Sequence, residues 1–206
     1  MIADARIAAF QDLAQQRRSI RHFRSESVPR SLIEEILQVA MWAPSPHNVQ
    51  PWRFTVLTRD ADKIRLAEAM AARLHDDLRA DDIAEETIAQ QTARSRWRLT
   101  TAPVVVVCSL VQDGLVEYQD ARRSHFEWEM AVQSVGAVLQ TVFLAAAAHD
   151  LGTCWMAAPM YCPDEVRSAV DLPDEYAPQA LILMGYAASS GKLRDRRQFD
   201  EVVEFR

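Results

Sequence analysis

Three arginines and a serine lie within one five-residue stretch, Arg17-Arg18-Ser19-Ile20-Arg21, which directly follows a predicted helix. A guanidinium group presents a planar pair of N–H donors to phosphate oxygens, which makes Arg well suited to phosphate recognition. The stretch therefore indicates a phosphate-binding site. The alternative is a solvated basic end to the first helix, a position that the helix dipole favours for cations.

A second polar cluster lies in a proline-rich loop over residues 43–52, which ends at Trp52. The prolines restrict the backbone, and the polar side chains supply donors and acceptors suited to the edge of a heteroaromatic ring. These side chains belong to Ser45, His47, Asn48 and Gln50. The alternative is a turn whose polar residues cap the neighbouring elements.

The sequence lacks the motifs of several other kinds of site. The five glycines are too far apart for a dinucleotide fingerprint, a Walker A loop or a nucleophile elbow. The histidines and the three cysteines lack metal-ligand spacing, so no metal site is predicted and the thiols are expected to be reduced. A net charge of -6 argues against a nucleic-acid partner.

The predicted elements alternate in type along the chain. Helical spacing of apolar residues predicts helices over residues 2–16, 29–40, 62–99 with a break near Asp81, 124–149 and 163–170. Runs rich in β-branched and aromatic residues predict strands over residues 52–58, 104–111, 152–156 and 180–186, and an edge strand over 202–205. This order predicts an α+β fold with a small sheet of four or five strands, in a single domain over residues 1–206.

The hydrophobic segments predict no membrane contact. The longest uninterrupted apolar runs are shorter than the ~18 residues that a membrane span needs. The first residues include no basic stretch before an apolar run, so we expect a cytoplasmic protein. The helix over 124–149 is apolar around most of its circumference, which places it in a core or an interface.

Together, the two polar clusters resemble the FMN-dependent nitroreductase superfamily. The shared motifs cover nearly the whole chain: Arg-Arg-Ser-x-Arg, Ala-Pro-Ser-x-x-Asn-x-Gln-Pro-Trp-x-Phe and Leu151-Gly152-Thr153-Cys154-Trp155. The resemblance implies a nitroreductase-like α+β fold with a small, mixed, mainly antiparallel sheet flanked by helices. It also implies an intertwined homodimer that binds FMN at the subunit interface.

The resemblance further implies roles for single residues. The FMN phosphate and ribityl chain would be held by Arg17, Arg18, Ser19, Ile20 and Arg21. The flavin ring would be lined by Ser45, Asn48 and Gln50, with Ala157 contacting it through its backbone and Arg194 closing over the cofactor. His47 and Asp77 would contact the substrate, the latter where the deazaflavin-linked members of the superfamily meet their coenzyme.

The implied reaction needs no catalytic side chain, because FMN carries the chemistry. Electrons would pass in a ping-pong cycle from NAD(P)H through FMN to an electron-poor small-molecule acceptor such as a nitroaromatic compound or a quinone. Two alternatives stay open: a reductase acting on a deazaflavin coenzyme or its dehydro precursor, and a flavin-binding protein without turnover.

The deazaflavin alternative follows from the middle and C-terminal parts, which are closest to the reductase domain that accompanies the deazaflavin glutamate ligase. Against it, no ligase domain is expected in front of this chain, and residues 48–52 follow the general nitroreductase pattern. The benzimidazole-forming branch is disfavoured, because it resembles Arg-Arg-Asp and Ser-Val-Gly where Ser19 and Pro46-His47 stand here.

Overall fold

The computed structural model describes residues 2–206, with side chains from Asp4 onward; Met1 lies outside the described residues. The helices are α1 (Ile2–Gln16), α2 (Arg30–Ala40), α3 (Asp60–Ala80), α4 (Glu85–Thr101), α5 (Ala121–Ala148) and α6 (Pro163–Ala169). The strands are β1 (Trp52–Leu57), β2 (Val104–Leu110), β3 (Leu151–Met156) and β4 (Ala177–Tyr186). Short 3-10 turns cover Pro46–Asn48, Ala158–Tyr161 and Phe199–Glu201.

The strands form one sheet in the order β1-β2-β4-β3, and all three neighbouring pairs are antiparallel. Every residue of β2 is buried, because its run of β-branched residues has helices on both faces. An isolated parallel bridge joins Ser19 to Thr153 at the outer edge of β3. The predicted α+β fold with a mainly antiparallel sheet is confirmed.

Helices cover both faces of the sheet and make two apolar layers. The layer under α2 and α5 includes Ile36 and Val138, and the layer under α3 and α6 includes Leu66 and Val166. Burial of one such aliphatic side chain contributes about 1.5–3 kcal/mol. The two layers therefore fix the sheet whose edges carry the polar clusters.

By length and composition, α5 is apolar enough to cross a membrane, but half of its most apolar stretch is buried inside the chain. The helix packs against α2 and β3, and Val135, Leu139 and Val142 are core residues. A core helix meets the same criterion, and this packing accounts for the buried half of the apolar stretch. Of the two expected positions, a core or an interface, the chain shows the core position for this half.

One predicted strand is wrong. Residues 202–205 follow the turn at Phe199–Glu201 and have no strand partner among the described residues. Phe205 is 86% exposed, and its ring contacts only that of Phe199, at 6.3 Å between centroids, among the aromatic side chains described. A strand needs a neighbour to pair with, and in this chain both edges of the sheet lie elsewhere.

A buried lysine joins the helical hairpin to the strand that follows it. Lys63 is 4% exposed, its Nζ donates to the carbonyl oxygen of Ala102 at 2.8 Å, and it lies 3.0 Å from Asp60 Oδ1. This hydrogen bond fixes the start of α3 to the end of α4. It also satisfies a carbonyl group immediately before β2.

We predict that Lys63→Ala lowers the free energy of unfolding by about 1–3 kcal/mol, because it leaves the buried Ala102 carbonyl without its donor. Urea unfolding followed by circular dichroism measures this. Arg30→Ala is the control, because the ion pair of Arg30 with Glu34 is exposed, and we expect no measurable change. Equal stability of the two variants would contradict the prediction.

Candidate functional site

The basic segment, residues 17–21, lies against the outer edge of β3. The amide of Ile20 donates to the carbonyl oxygen of Thr153 at 2.8 Å, and the Ile20 side chain is buried over Gly152. A Cβ at Gly152 would come within 2.8 Å of Ile20 carbons, which is closer than real Cβ contacts allow. Glycine at this position therefore lets the segment lie flat on the sheet.

Residues 22–24 continue along the end of β4 and bring the C-terminal chain over the basic segment. The amide of Arg24 donates to Tyr186 O at 2.8 Å, and the amide of Ala188 donates to His22 O at 3.0 Å. Gly191 lies so close to Arg18 that an added Cβ would overlap that side chain. Residues 189–196 therefore pack directly on the basic segment.

A cavity of about 450 Å³ lies between these two stretches. It is lined by six cationic side chains, those of Arg17, Arg18, Arg21, Lys192, Arg194 and Arg196. No carboxylate lines the cavity, and within residues 2–206 none of the six cations is ion-paired with one. Serine hydroxyls, including that of Ser19, complete the lining. Uncompensated cations and hydroxyl donors around one cavity suit a dianionic phosphate group.

A cleft of about 160 Å³ continues from Arg17 and Ser19 along β3. Its other walls are Gln140 and Phe143 of α5 with Thr153 and Trp155 of β3. The rings of Phe143 and Trp155 are 5.9 Å apart between centroids. Beyond the end of β3, Ala157 is exposed. The anion cavity therefore opens onto an aromatic surface that runs toward Ala157.

The polar loop, residues 45–50, is held in a strained conformation. His47, Asn48 and Gln50 have positive φ angles of 51°, 56° and 52°. This left-handed conformation costs about 1–2 kcal/mol for most residues and is tolerated more readily by asparagine. The loop is braced by Ser45 Oγ, which accepts a hydrogen bond from the amide of Gln50 at 3.0 Å. Strain of this kind, kept in a partly exposed polar loop, is typical of a functional site.

The polar loop and the basic segment lie at opposite corners of the sheet. The loop leads into Trp52, which pairs with Leu110 at one end of β2. Ser19 lies beside Thr153, which is level with Val104 at the other end of β2. Roughly 20 Å along the strands and three inter-strand steps across them put the two corners on the order of 25 Å apart. One chain does not bring the two predicted clusters together.

Asp77 lines a separate, mostly apolar cavity of about 250 Å³ between α3, α4 and the turn that follows β3. Arg73 Nε donates to Asp77 Oδ1 at 2.7 Å, and Arg73 also pairs with Glu165 at 3.2 Å. Ala158 lies in the same lining, so Asp77 is near the end of β3. His47, the other predicted substrate contact, belongs to the polar loop at the far corner.

The cavity beside Asp77 is also lined by Cys162, which is buried. Burial raises the pKa of Cys162 to about 11, and Glu165 adds to the effect. The thiol therefore stays protonated near neutral pH. Among the described residues, no group of three or more His, Cys, Asp or Glu side chains is placed to hold a metal ion.

Lys192 and Arg196 belong to the anion cavity but were not among the predicted site residues. The available signal was the Arg-rich composition of the C-terminal twenty residues, which alone is typical of a solvated tail. Arg194, which the resemblance assigned to the cofactor, lies in the cavity with the basic segment.

The chain is similar to proteins of one known family. Residues 14–186 match the nitroreductase family. The chain is 29% identical to an NADH dehydrogenase of Thermus thermophilus, over 100% of this chain and 97% of the relative. It is 29% identical to a 5,6-dimethylbenzimidazole synthase of Rhodospirillum rubrum, over 84% of this chain and 80% of the relative. A protein of Desulfovibrio desulfuricans, solved in complex with FMN, superimposes with a TM-score of 0.73 at 26% identity and 96% coverage of both chains.

We predict that Gly152→Ala destabilises the fold by about 1–3 kcal/mol, because the added methyl group displaces the buried Ile20. Thermal unfolding measures the loss, and trypsin cleavage after Arg17, Arg18 or Arg21 becomes faster as the segment leaves the sheet. Gly136→Ala is the control, because a Cβ there meets nothing within 4 Å in the chain. If Gly152→Ala unfolds and is cleaved like the native protein, the close packing described here is incorrect.

Proposed function

The chain is a member of the nitroreductase family, and on that premise we propose that it transfers electrons from NAD(P)H through FMN to an electron-poor small molecule. The observation that carries this proposal is the anion cavity, with six cations and no carboxylate, that opens along an aromatic surface of β3. The similarity to an NADH dehydrogenase and to a protein solved with FMN supports the same cofactor and donor. We place this activity in one cytoplasmic domain, residues 1–206.

The residues of the anion cavity fit the phosphate of FMN. The phosphate would be held by Arg17, Arg18, Arg21 and Arg194, and the hydroxyl of Ser19 would bind the ribityl chain where the cavity meets the β3 cleft. FMN, when bound, supplies hydride transfer, so the chain needs no acid, base or nucleophile of its own. The positive charge of Arg21 would favour the reduced, anionic form of the cofactor.

We further propose that the active form is a homodimer in which the polar loop of one subunit completes the site of the other. The separation of the two corners supports this, because Ser45, Asn48 and Gln50 cannot reach the anion cavity of their own chain. Large apolar side chains near the loop are also uncovered, above all Trp42, which is 90% exposed. A second copy that covers this surface would place its loop beside the basic segment.

The acceptor we propose is a small electron-poor ring, a nitroaromatic compound or a quinone, reduced in a ping-pong cycle. A shared face of the cofactor would serve donor and acceptor in turn, since one aromatic cleft leads to the end of β3. The cavity beside Asp77 favours a second candidate, a deazaflavin coenzyme or its dehydro precursor. The similarity to a benzimidazole synthase concerns a different branch of the superfamily, and Ser19 and Pro46-His47 differ from the motifs of that branch.

The visible absorption spectrum of freshly purified protein tests the proposal first. A flavin spectrum whose chromophore, released by heat, chromatographs as FMN is expected, followed by bleaching on anaerobic addition of NADH or NADPH. Parallel double-reciprocal plots with a quinone or a nitroaromatic acceptor would support the ping-pong cycle. A colourless protein that does not take up added FMN would overturn the proposal.

We predict that Arg21→Ala weakens FMN binding and that Arg17→Ala/Arg21→Ala weakens it further, while circular dichroism stays native. Each lost charge-assisted hydrogen bond costs about 1.5–3 kcal/mol, or roughly 10- to 100-fold in Kd. Fluorescence titration of apoprotein with FMN measures the change. The control is Arg30→Ala/Arg59→Ala, which removes the same charge elsewhere on the surface. Full flavin occupancy in the first double variant would remove these residues from the phosphate site.

We predict that two variant chains, each of which lacks part of the site, recover FMN binding when they are combined in one heterodimer. One chain carries Arg17→Ala/Arg21→Ala and the other carries Asn48→Ala/Gln50→Ala, with different affinity tags. If the site is shared, the purified heterodimer holds one site with both clusters intact and binds FMN at about half the native stoichiometry. If each chain builds its own site, the heterodimer binds no more FMN than the two variant homodimers.

A further inference from the structure

Two arginines of α4 extend the positive charge beyond the anion cavity. Arg94 and Arg98 are one helical turn apart, and Arg98 lies close enough to Arg21 for the two charges to interact. Burial, with the charges of Arg21 and Arg94, lowers the pKa of Arg98. Within the described residues, neither Arg94 nor Arg98 is ion-paired with a carboxylate.

On another side of α4, an arginine is paired with a carboxylate. Arg96 lies between these two residues in sequence and pairs with Glu68 of α3 at 2.7 Å. The like charges of Arg94 and Arg98, four residues apart, destabilise the helix. The charge of Arg96 is offset by its carboxylate partner. Arg94 and Arg98, which have no carboxylate partner among the described residues, therefore leave one face of α4 positively charged.

This face adjoins the rim of the anion cavity. His22, which lines the cavity next to Arg21, contacts the ring of Trp97 at 4.8 Å between centroids. The C-terminal half of α4 is thereby packed on the basic segment. Any anion that meets Arg94, Arg98 and Arg21 together is adjacent to the proposed cofactor site.

The positive charge exceeds what the cofactor needs. An FMN phosphate carries at most two negative charges, and the cavity already presents six cations. Arg94 and Arg98 add two more, so the region attracts a second anionic ligand. Nitroaromatic compounds and quinones, the acceptors proposed first, carry no phosphate, whereas a nicotinamide dinucleotide carries a pyrophosphate and, in NADPH, a 2′-phosphate.

We propose that Arg94 and Arg98 bind a phosphate group of the nicotinamide donor, beside Arg21 and the cofactor. The inference rests on the proposed function, because it takes the donor from there. Their role is to bind and orient the donor. Guanidinium groups suit it because they bind phosphate through paired N–H donors.

The test compares FMN-loaded Arg94→Gln/Arg98→Gln with FMN-loaded Arg96→Gln, the same type of substitution at a single arginine of this helix that is paired with a carboxylate. Isothermal titration with adenosine 2′,5′-bisphosphate measures phosphate binding without turnover. We expect the double variant to bind this probe at least tenfold more weakly than the native protein. KM for the donor should rise by a similar factor with little change in kcat, and Arg96→Gln should match the native protein in both.

The donor whose KM rises in the double variant shows which phosphate group Arg94 and Arg98 bind. A rise in KM confined to NADPH assigns the pair to the 2′-phosphate, and an equal rise for NADH assigns it to the pyrophosphate. Unchanged probe binding and unchanged KM in the double variant would overturn the inference. So would a weakened Kd for FMN with the donor unaffected, because the two arginines would then serve the cofactor.

Oxidation of NADH or NADPH by the wild-type protein distinguishes a failure of this inference from a failure of the proposed function. If it oxidises neither NADH nor NADPH, the proposed function fails and the inference falls with it. If it oxidises a donor and the double variant does so with the native KM, only the inference fails.

Discussion

The contact between Ile20 and Gly152 is the constraint on which the rest of the candidate site depends. Because Gly152 has no side chain, Ile20 packs on the sheet and its amide reaches the carbonyl group of Thr153. That docking fixes the direction in which the arginines on either side of Ile20 extend. It also provides the surface on which the C-terminal residues around Gly191 lie. The anion cavity and the β3 cleft are therefore consequences of one missing methyl group at the edge of a sheet.

The two halves of the candidate site both hold unfavourable arrangements that the core must sustain. The anion cavity gathers cations in a chain whose net charge is -6, without carboxylates to offset their repulsion. The polar loop keeps three residues in the left-handed region. Packing of helices on both faces of β2 supplies the stability that allows both. Bound phosphate would offset the repulsion in the cavity, so binding and local order are linked there.

Sequence patterns predicted the fold better than the assembly of the site. The valine run of β2, the paired charged helices and the apolar α5 each carry a local pattern that the structure confirms. Residues 202–205 have a strand-like composition. Strand pairing also needs a neighbouring strand, and the composition of a segment does not show whether one is present. The separation of the polar loop from the basic segment follows from strand order, which no local pattern specifies. The sequence shows Gly152 only as part of a motif, because its close approach to Ile20 is a tertiary contact.

The anion cavity is built from two segments that are far apart in sequence, and this determines when it can form. One wall comes from the residues after α1, and the other comes from residues 189–196, so the whole sheet lies between them in sequence. During synthesis the wall after α1 emerges first and meets its counterpart only after β1 to β4 have been made. A chain that stops short of residue 189 therefore has no closed site in which to retain a phosphorylated ligand.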